Sequence, residues 1–469
     1  MLATDHHSGM AIKRFRTEKE FGEHLTRVLS PAKPVDAREM LYGRDEQLTR
    51  VSRALYAEGR HVFIYGDRGV GKSSLAKTAA SAYRDGQKDY LFVSCEHGST
   101  LFSVMHSLAK LVIESNAGQE KKRSHEITLG WGPLKYRLES DSTTSGNDLP
   151  APGSLDDCIQ LLIDIVNLYG PQSIAVIDEF DAIDQLAERQ RFADLLKRMG
   201  DRNVGLKFIL SGIAASLDDL LGGHLSSIRQ LETVPLEPLN WTARFAIIQA
   251  AAGEFGIQVP ESIRIRIAAI SNGFPHYVHL LTEKLLWQMF DDPGVCEEAR
   301  TNHFRASLDT AVASISPHLK RPYEQATQRV SEDYRDSVWA AADAYDLQRH
   351  SSRIFESYVW VCQQLEKDPL PRGKFVKRLN ELKKNRYGGL LRNLREKAGW
   401  YEFSENMVRG FVRLKAEQNG VQLRDHEYDK EPKALTARAP TMKSHQASRK
   451  DYAPPVKFRG EVNDDDDTT

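Results

Sequence analysis

The sequence predicts an α/β fold with a parallel sheet, followed by a helical domain and a small basic domain, and three observations carry that prediction. Four nearly continuous apolar runs, HVFIYG (61–66), YLFVSC (90–95), SIAVID (173–178) and LKFILSG (206–212), alternate with stretches of helical periodicity. Strands buried on both faces read as such runs, and their alternation with helices is the pattern of crossover connections. The first run leads through the glycine-rich GDRGVGKS into the helical SSLAKTAASAY. Beyond residue 236 the apolar residues recur at three-to-four spacing, which predicts helices.

The 469 residues suggest about three domains at roughly 150 residues each. Lys plus Arg number 64 and Asp plus Glu 65, a net charge of -1. No global field therefore draws the chain to nucleic acid or membranes, and any such attraction is local. The sequence has no run of 18 apolar residues, and its N-terminus MLATDHHSGMAIKRF lacks an apolar signal core, so a cytoplasmic protein with no membrane partner is expected. Cys95, Cys158, Cys296 and Cys362 lie far apart with no metal-ligand spacing. They are read as buried, reduced thiols.

Taken in order, residues 1–39 are a polar segment with one helix, TEKEFGEHLTRVL, ended by Pro31 and Pro34. Residues 40–235 form the α/β domain. Within it, 118–153 is read as an insertion in which Ile127, Leu129, Trp131, Leu134, Tyr136 and Leu138 alternate around Gly132-Pro133 as in a hairpin. Residues 236–318 are a helical lid, 325–420 a further domain, and 421–469, poor in large apolar residues and ending in NDDDDTT, a disordered tail.

The strongest chemical signal is Gly66-Asp67-Arg68-Gly69-Val70-Gly71-Lys72-Ser73. It satisfies GxxxxGK[ST] between a strand and a helix, the frame in which backbone N–H groups and a helix N-terminus cradle phosphates. Lys72 reaches the terminal phosphates, Ser73 ligates Mg²⁺, and Ser74 follows in the same turn. A hundred residues on, Ser173 to Asp178 is a strand that delivers Asp178 and Glu179 at its carboxyl end. Asp178 is expected to hold Mg²⁺ and Glu179 to orient and deprotonate the attacking water, with ATP as the substrate. Asp181 and Asp184 are read as solvated or capping residues. Ser211, at the end of the strand from Leu206, is either a phosphate-sensing hydroxyl or a plain strand-terminal serine, and Arg229 either a finger acting in trans or a surface arginine.

The order of motifs, Gly43-Arg44-Asp45-Glu46, GDRGVGKS, IAVIDE, LSG, Arg229 and Gly273-Phe274-Pro275, resembles AAA+ and STAND-type ATPases over residues 40–290. Within them it is nearest the branch of origin-recognition initiators and of transposition regulators of the TnsC and TniB kind. The resemblance implies a P-loop ATPase with a parallel sheet, a helical lid and a winged-helix domain. It further implies that Gly43 and Arg44 lie near the adenine, that Ser211 is the first sensor and Arg229 the finger, and that Pro275 and His276 open the second sensor helix. Initiators of this kind usually carry an Arg there, and His276 in its place favours a slow nucleotide-controlled switch.

Between 371 and 415 thirteen basic residues face four acidic ones, a local balance of +9 in a chain of net charge -1. The pattern of two helices (SRIFESYVWVCQQLEKD, RGKFVKRLNELKK), a third helix YGGLLRNLREKAG and the strand-like WYEF resembles a winged helix-turn-helix. Lys383, Lys384, Arg386, Arg392 and Arg395 are the expected contacts to DNA phosphates; protein contacts are the alternative use of such a domain. The sequence thus predicts a Mg²⁺-dependent ATPase, assembling into homo-oligomers on ATP, that acts on DNA or loads a protein partner there. A STAND-like signalling or phage-defence switch controlling a partner effector is the alternative.

Overall fold

Five parallel strands form the central sheet: β1 (His61–Tyr65), β2 (Leu91–Ser94), β3 (Ile174–Asp178), β4 (Lys207–Gly212) and β5 (Leu231–Pro235), in the spatial order β2-β3-β4-β1-β5. The computed structural model describes residues 12–35, 37–84, 90–116, 130–134, 149–213, 217, 229–294, 297–328, 331–394 and 397–424. The chain divides into two units, Met1–Glu431 and Pro432–Thr469, and every described residue falls in the first.

Alternation along each strand builds two cores. Val62, Ile64, Ile174, Val176, Ile209 and Val234 point to one face, while Phe63, Val93, Ala175, Ile177, Phe208 and Leu210 point to the other. All of these are buried, which is why the four predicted runs carry no polar interruption. Helices cover both faces: α1 (Glu18–Val28), α2 (Asp45–Tyr56), α3 (Lys72–Tyr83), α4 (Leu101–Asn116), α5 (Leu155–Tyr169) and α6 (Leu186–Asp201). The parallel register places Val62 beside Ile209 and Ile177 beside Leu210. The carboxyl ends of β1, β3 and β4 therefore meet at one sheet edge.

The lid is four helices, α7 (Trp241–Glu254), α8 (Glu261–Ser271), α9 (Pro275–Asp291) and α10 (Thr301–Ser314). After them come α11 (Pro317–Thr327), α12 (Glu332–Ala342), β6 (Gln348–His350), α13 (Ser351–Gln364), α14 (Arg372–Glu381), β7 (Leu391–Asn393), β8 (Trp400–Phe403) and α15 (Asn406–Gln418). Strands β6, β8 and β7 form an antiparallel sheet in that order, which with α13 and α14 makes the expected winged helix. The apolar core on one face of the central sheet continues through the lid into this domain.

The structure departs from several of these expectations. YGGLLRNLREKAG is not a helix: Gly388 and Gly389 have positive φ, and Leu391–Asn393 pairs with β8 as the wing. A side chain at Gly388 would overlap the carbonyl of Pro322, so the turn packs on α11. Most of the expected hairpin lies outside the described residues. Its centre, Gly132 to Leu134, is a helical turn whose approach is fixed by Asp164, which accepts from the Gly130 N–H at 3.0 Å and the Trp131 N–H at 2.7 Å. Of the expected tail, 425–469 lies outside the described residues, and Val421 and Leu423 are buried. Cys95, Cys158 and Cys362 are free and buried, and Cys296 is outside the described residues. No described helix is long and apolar enough to cross a membrane.

Candidate nucleotide-binding site

The loop between β1 and α3 is shaped by its glycines. Gly69 and Gly71 take φ of 82° and 99°, which L side chains avoid. Gly66 donates its N–H to the Gly212 carbonyl at 3.2 Å, and a side chain on it would overlap the carbonyl of Leu236. Helix α3 starts with Gly71 at its cap and no side chain bonded to its first turn, so the N–H groups there are left for an anion. Val70 is buried beneath the loop, while Asp67, Arg68 and Gly69 are exposed at its apex.

Lys72 folds over this loop, its ammonium donating to the carbonyls of Gly66 at 3.0 Å and Asp67 at 2.9 Å. Burial lowers its pKa, and Asp181, Asp178 and Asp67 oppose that shift. Ser73 begins the helix, and Ser74 accepts from the Val35 N–H at 3.1 Å, tying the N-terminal segment to the loop.

The second strand end supplies the acids. Asp178 is buried and accepts a hydrogen bond from the Ser211 hydroxyl, so the expected sensor lies on the expected metal ligand. Glu179 is exposed at φ 55°, ψ 40°, a left-handed conformation that turns it out of the strand. Its Oε2 accepts from Ser94 Oγ at 3.3 Å, a contact between neighbouring strands that residue spacing does not reveal. Asp181 pairs with Arg68 at 3.4 Å across the site, and Asp184 pairs with His97 at 2.8 Å. The donor set of Ser73 and Asp178 fits a hard cation that keeps waters, which is how Mg²⁺ binds beside phosphates.

Other expected residues have structural partners. Arg44 is buried and donates to the carbonyls of Val70 at 3.0 Å and Glu237 at 2.7 Å, bracing the loop against the lid connection. Burial lowers its pKa to about 10, with Glu237 pulling the other way. Gly43 has φ 66° and no room for a methyl against Ala243. Pro275 lies 3.9 Å from the Cβ position of Gly71, so α9 also begins at the loop. His276 Nδ1 donates to the Pro31 carbonyl at 2.8 Å. Arg229 is exposed just before β5, whose Leu231 pairs with His61 at the start of β1. It therefore sits a strand length, roughly 16 Å, from its own phosphate loop.

Residues 40–209 match the AAA ATPase domain family. This stretch has the parallel-sheet P-loop ATPase fold. A comparison with curated proteins finds no match. Among solved structures, the chain is similar to the Walker-type ATPase PABY2304 of Pyrococcus abyssi, at 18% identity and TM-score 0.47, covering 81% of this chain and 98% of that one. It is similar to the Aeropyrum pernix ORC2 protein in ADPNP-ADP complexes, at 11% identity and TM-score 0.44, over 84% and 98% of the two chains. It is similar also to the Aeropyrum pernix ORC1 protein in complex with DNA, at 14% identity and TM-score 0.41, over 84% and 96%.

The winged-helix domain revises the charge reading. Of the thirteen basic residues, Arg409 and Arg413 are buried and donate to carbonyls at the end of α12, at Ala342 and Ala344. Arg378 pairs with Asp333 and Glu381. Helix α14 keeps Arg372, Lys374 and Lys377 exposed while Phe375 and Leu379 are buried, a basic face absent from the expected contacts. Lys384 and Arg386 are exposed beside it. Lys383 reaches Asn393 at 3.3 Å and Arg392 pairs with Glu402 at 2.7 Å, while Arg395 lies outside the described residues.

Proposed function

We propose that the chain is an ATP-driven switch that hydrolyses ATP slowly, acts on duplex DNA through its winged helix and assembles with further copies when ATP is bound. One observation supports the DNA reading above the rest: Arg372, Lys374 and Lys377 stand on the exposed side of α14, the second helix of the helix-turn-helix, with Lys384 and Arg386 alongside. Cations so arranged neutralise backbone phosphates and release counterions.

In the reaction, the loop N–H groups and Lys72 hold the β- and γ-phosphates. Glu179 orients a water and takes its proton as the water oxygen bonds to the γ-phosphorus and the bond to the β–γ bridging oxygen breaks, releasing ADP and phosphate. A Mg²⁺ ion held by Ser73 and Asp178 would offset phosphate charge. Ser211 keeps Asp178 oriented. Arg229, too far from its own loop, is suited to reach the phosphates of a neighbouring copy, which makes assembly part of catalysis.

The test is nucleotide-dependent binding to a fluorescent duplex by wild type and a K374E/K377E variant. The reading expects binding that weakens with salt and is lost in the variant. Assembly on ATP that ignores DNA would replace it with the signalling switch.

A further inference from the structure

Four buried arginines converge where the lid meets the winged helix. Arg244 of α7, Arg349, Arg409 and Arg413 are each at most 7% exposed. Burial, followed by Arg413 and Arg349, holds the Arg409 pKa well below its ordinary value, so these guanidiniums act on one another. Much of their hydrogen bonding goes to main chain at the end of α12, where Arg349 donates to the Ala340 carbonyl at 3.0 Å and Arg413 to the Ala342 carbonyl at 2.7 Å. Those carbonyls carry no net charge. The carboxylates that act on Arg409 are Asp343, already paired with Arg424 at 2.8 Å, and Asp346, which is exposed. Cations gathered in a low-dielectric interior are costly unless charge of the opposite sign is brought to them.

The same side chains leave a small cavity, bounded by Arg244, Asn272, Arg413 and Arg424. Arg244 donates Nε to the Leu239 carbonyl at 2.7 Å and Nη1 to the Ala268 carbonyl at 2.9 Å, while its Nη2 is buried with no hydrogen-bond partner. The Arg244 guanidinium lies 4.6 Å from the centre of the Trp241 ring. Trp241 and Tyr345 complete the wall, and like Arg424 they are part-exposed, so the cavity is reached from that side. Its volume is about 10 Å³, the room that one water needs.

We propose that this cavity binds a single halide ion, chloride. A guanidinium only donates, so Nη2 needs an acceptor. A water would accept but bring no charge, whereas a carboxylate, sulfate or phosphate would bring charge but exceeds the space. A monoatomic anion supplies both within the size of the cavity, and a hydrogen bond from a guanidinium to an anion is among the strong ones. The ion joins Arg244 of the lid to Arg413 of the winged helix and to Arg424 after it. Because this junction exists only in the folded chain, the ion stabilises the fold in proportion to its occupancy, and the effect saturates.

The experiment follows the chloride NMR linewidth in the presence of the full chain in sulfate buffer. Sulfate occupies exposed cations and the phosphate loop but is too large for the cavity. The site predicts that wild type broadens the chloride signal in sulfate, that bromide narrows it again, and that R244Q and R424Q lose the broadening. Substituting the exposed Arg305 of α10, as R305A, should keep it. In parallel, the urea midpoint of wild type should rise with chloride to a plateau above its value in gluconate at equal ionic strength. Broadening that sulfate abolishes in wild type, or that R244Q and R424Q retain, overturns the site, and so does an equal midpoint in chloride and gluconate. Circular dichroism checks that the variants fold, and the wild-type measurements in sulfate and gluconate decide the matter without them.

Discussion

Ser94, at the end of β2, donates a hydrogen bond across 3.3 Å to the carboxylate of Glu179, at the end of the neighbouring β3. The two strands are in register, Ser94 beside Asp178, so the sheet itself sets this distance. In the proposed reaction this bond restrains Glu179 away from the water it orients. Such a bond contributes about 1 kcal/mol. Ser94→Ala is accordingly expected to raise steady-state hydrolysis by about two- to fivefold with ATP affinity unchanged. A phosphate-release assay beside a binding titration checks both halves, and a lower rate would show that Ser94 supports Glu179 instead.

Glu179→Gln removes the proton acceptor and keeps the shape. Loss of a general base costs roughly 10²- to 10⁴-fold, so turnover should fall into that range while ATP remains bound. Lys72→Ala should instead lose nucleotide affinity. Isothermal titration separates the two, and equal binding losses would contradict the assigned roles.

Two buried histidines make folding sensitive to acid. His61 Nδ1 accepts from the Phe208 N–H at 3.1 Å, and burial, then Lys207, lowers its pKa from 6.5 to about 3. His279 is lowered to about 4 by burial and then His276. Both bind a proton more readily unfolded than folded, so their contribution is present above pH 6.5 and is lost as pH falls from 6.5 toward 4. The midpoint of urea unfolding should drop between pH 7 and pH 5, and His61→Asn should flatten that dependence. An unchanged midpoint in wild type would contradict it.

The arginines of the winged helix divide by burial. Arg413→Ala removes a buried guanidinium that donates to the Ala342 and Ala269 carbonyls and should destabilise the protein by about 2–4 kcal/mol. Arg372→Ala should leave stability within about 0.5 kcal/mol. Thermal unfolding followed by circular dichroism distinguishes them, and comparable losses would mean that α14 is not exposed in solution.

The sheet and the phosphate loop were legible because their signals are local. An apolar run, five residues of β1 and a spaced set of glycines sit in one short stretch, and Asp178-Glu179 end another. The wing was misread because Leu391 and Leu394 keep helical spacing, and only the paired glycines before them, both at positive φ, force the turn. The basic balance was legible as a sum and not as a surface, since Arg409 and Arg413 carry the same charge as Lys374 but are enclosed by carbonyls at and just after the end of α12. Contacts such as Ser94 with Glu179, or Asn406 with Asp67 across 339 residues, follow from the register of packed elements and leave no mark in spacing.

The measurement that bears most directly on the account is ATP hydrolysis by wild type and K374E/K377E, with and without duplex DNA, at low and high salt. The account predicts that duplex stimulates the wild type at low salt, that the stimulation fades as salt rises, and that the variant keeps its basal rate but ignores DNA. Equal rates with and without duplex at both salt concentrations would contradict it.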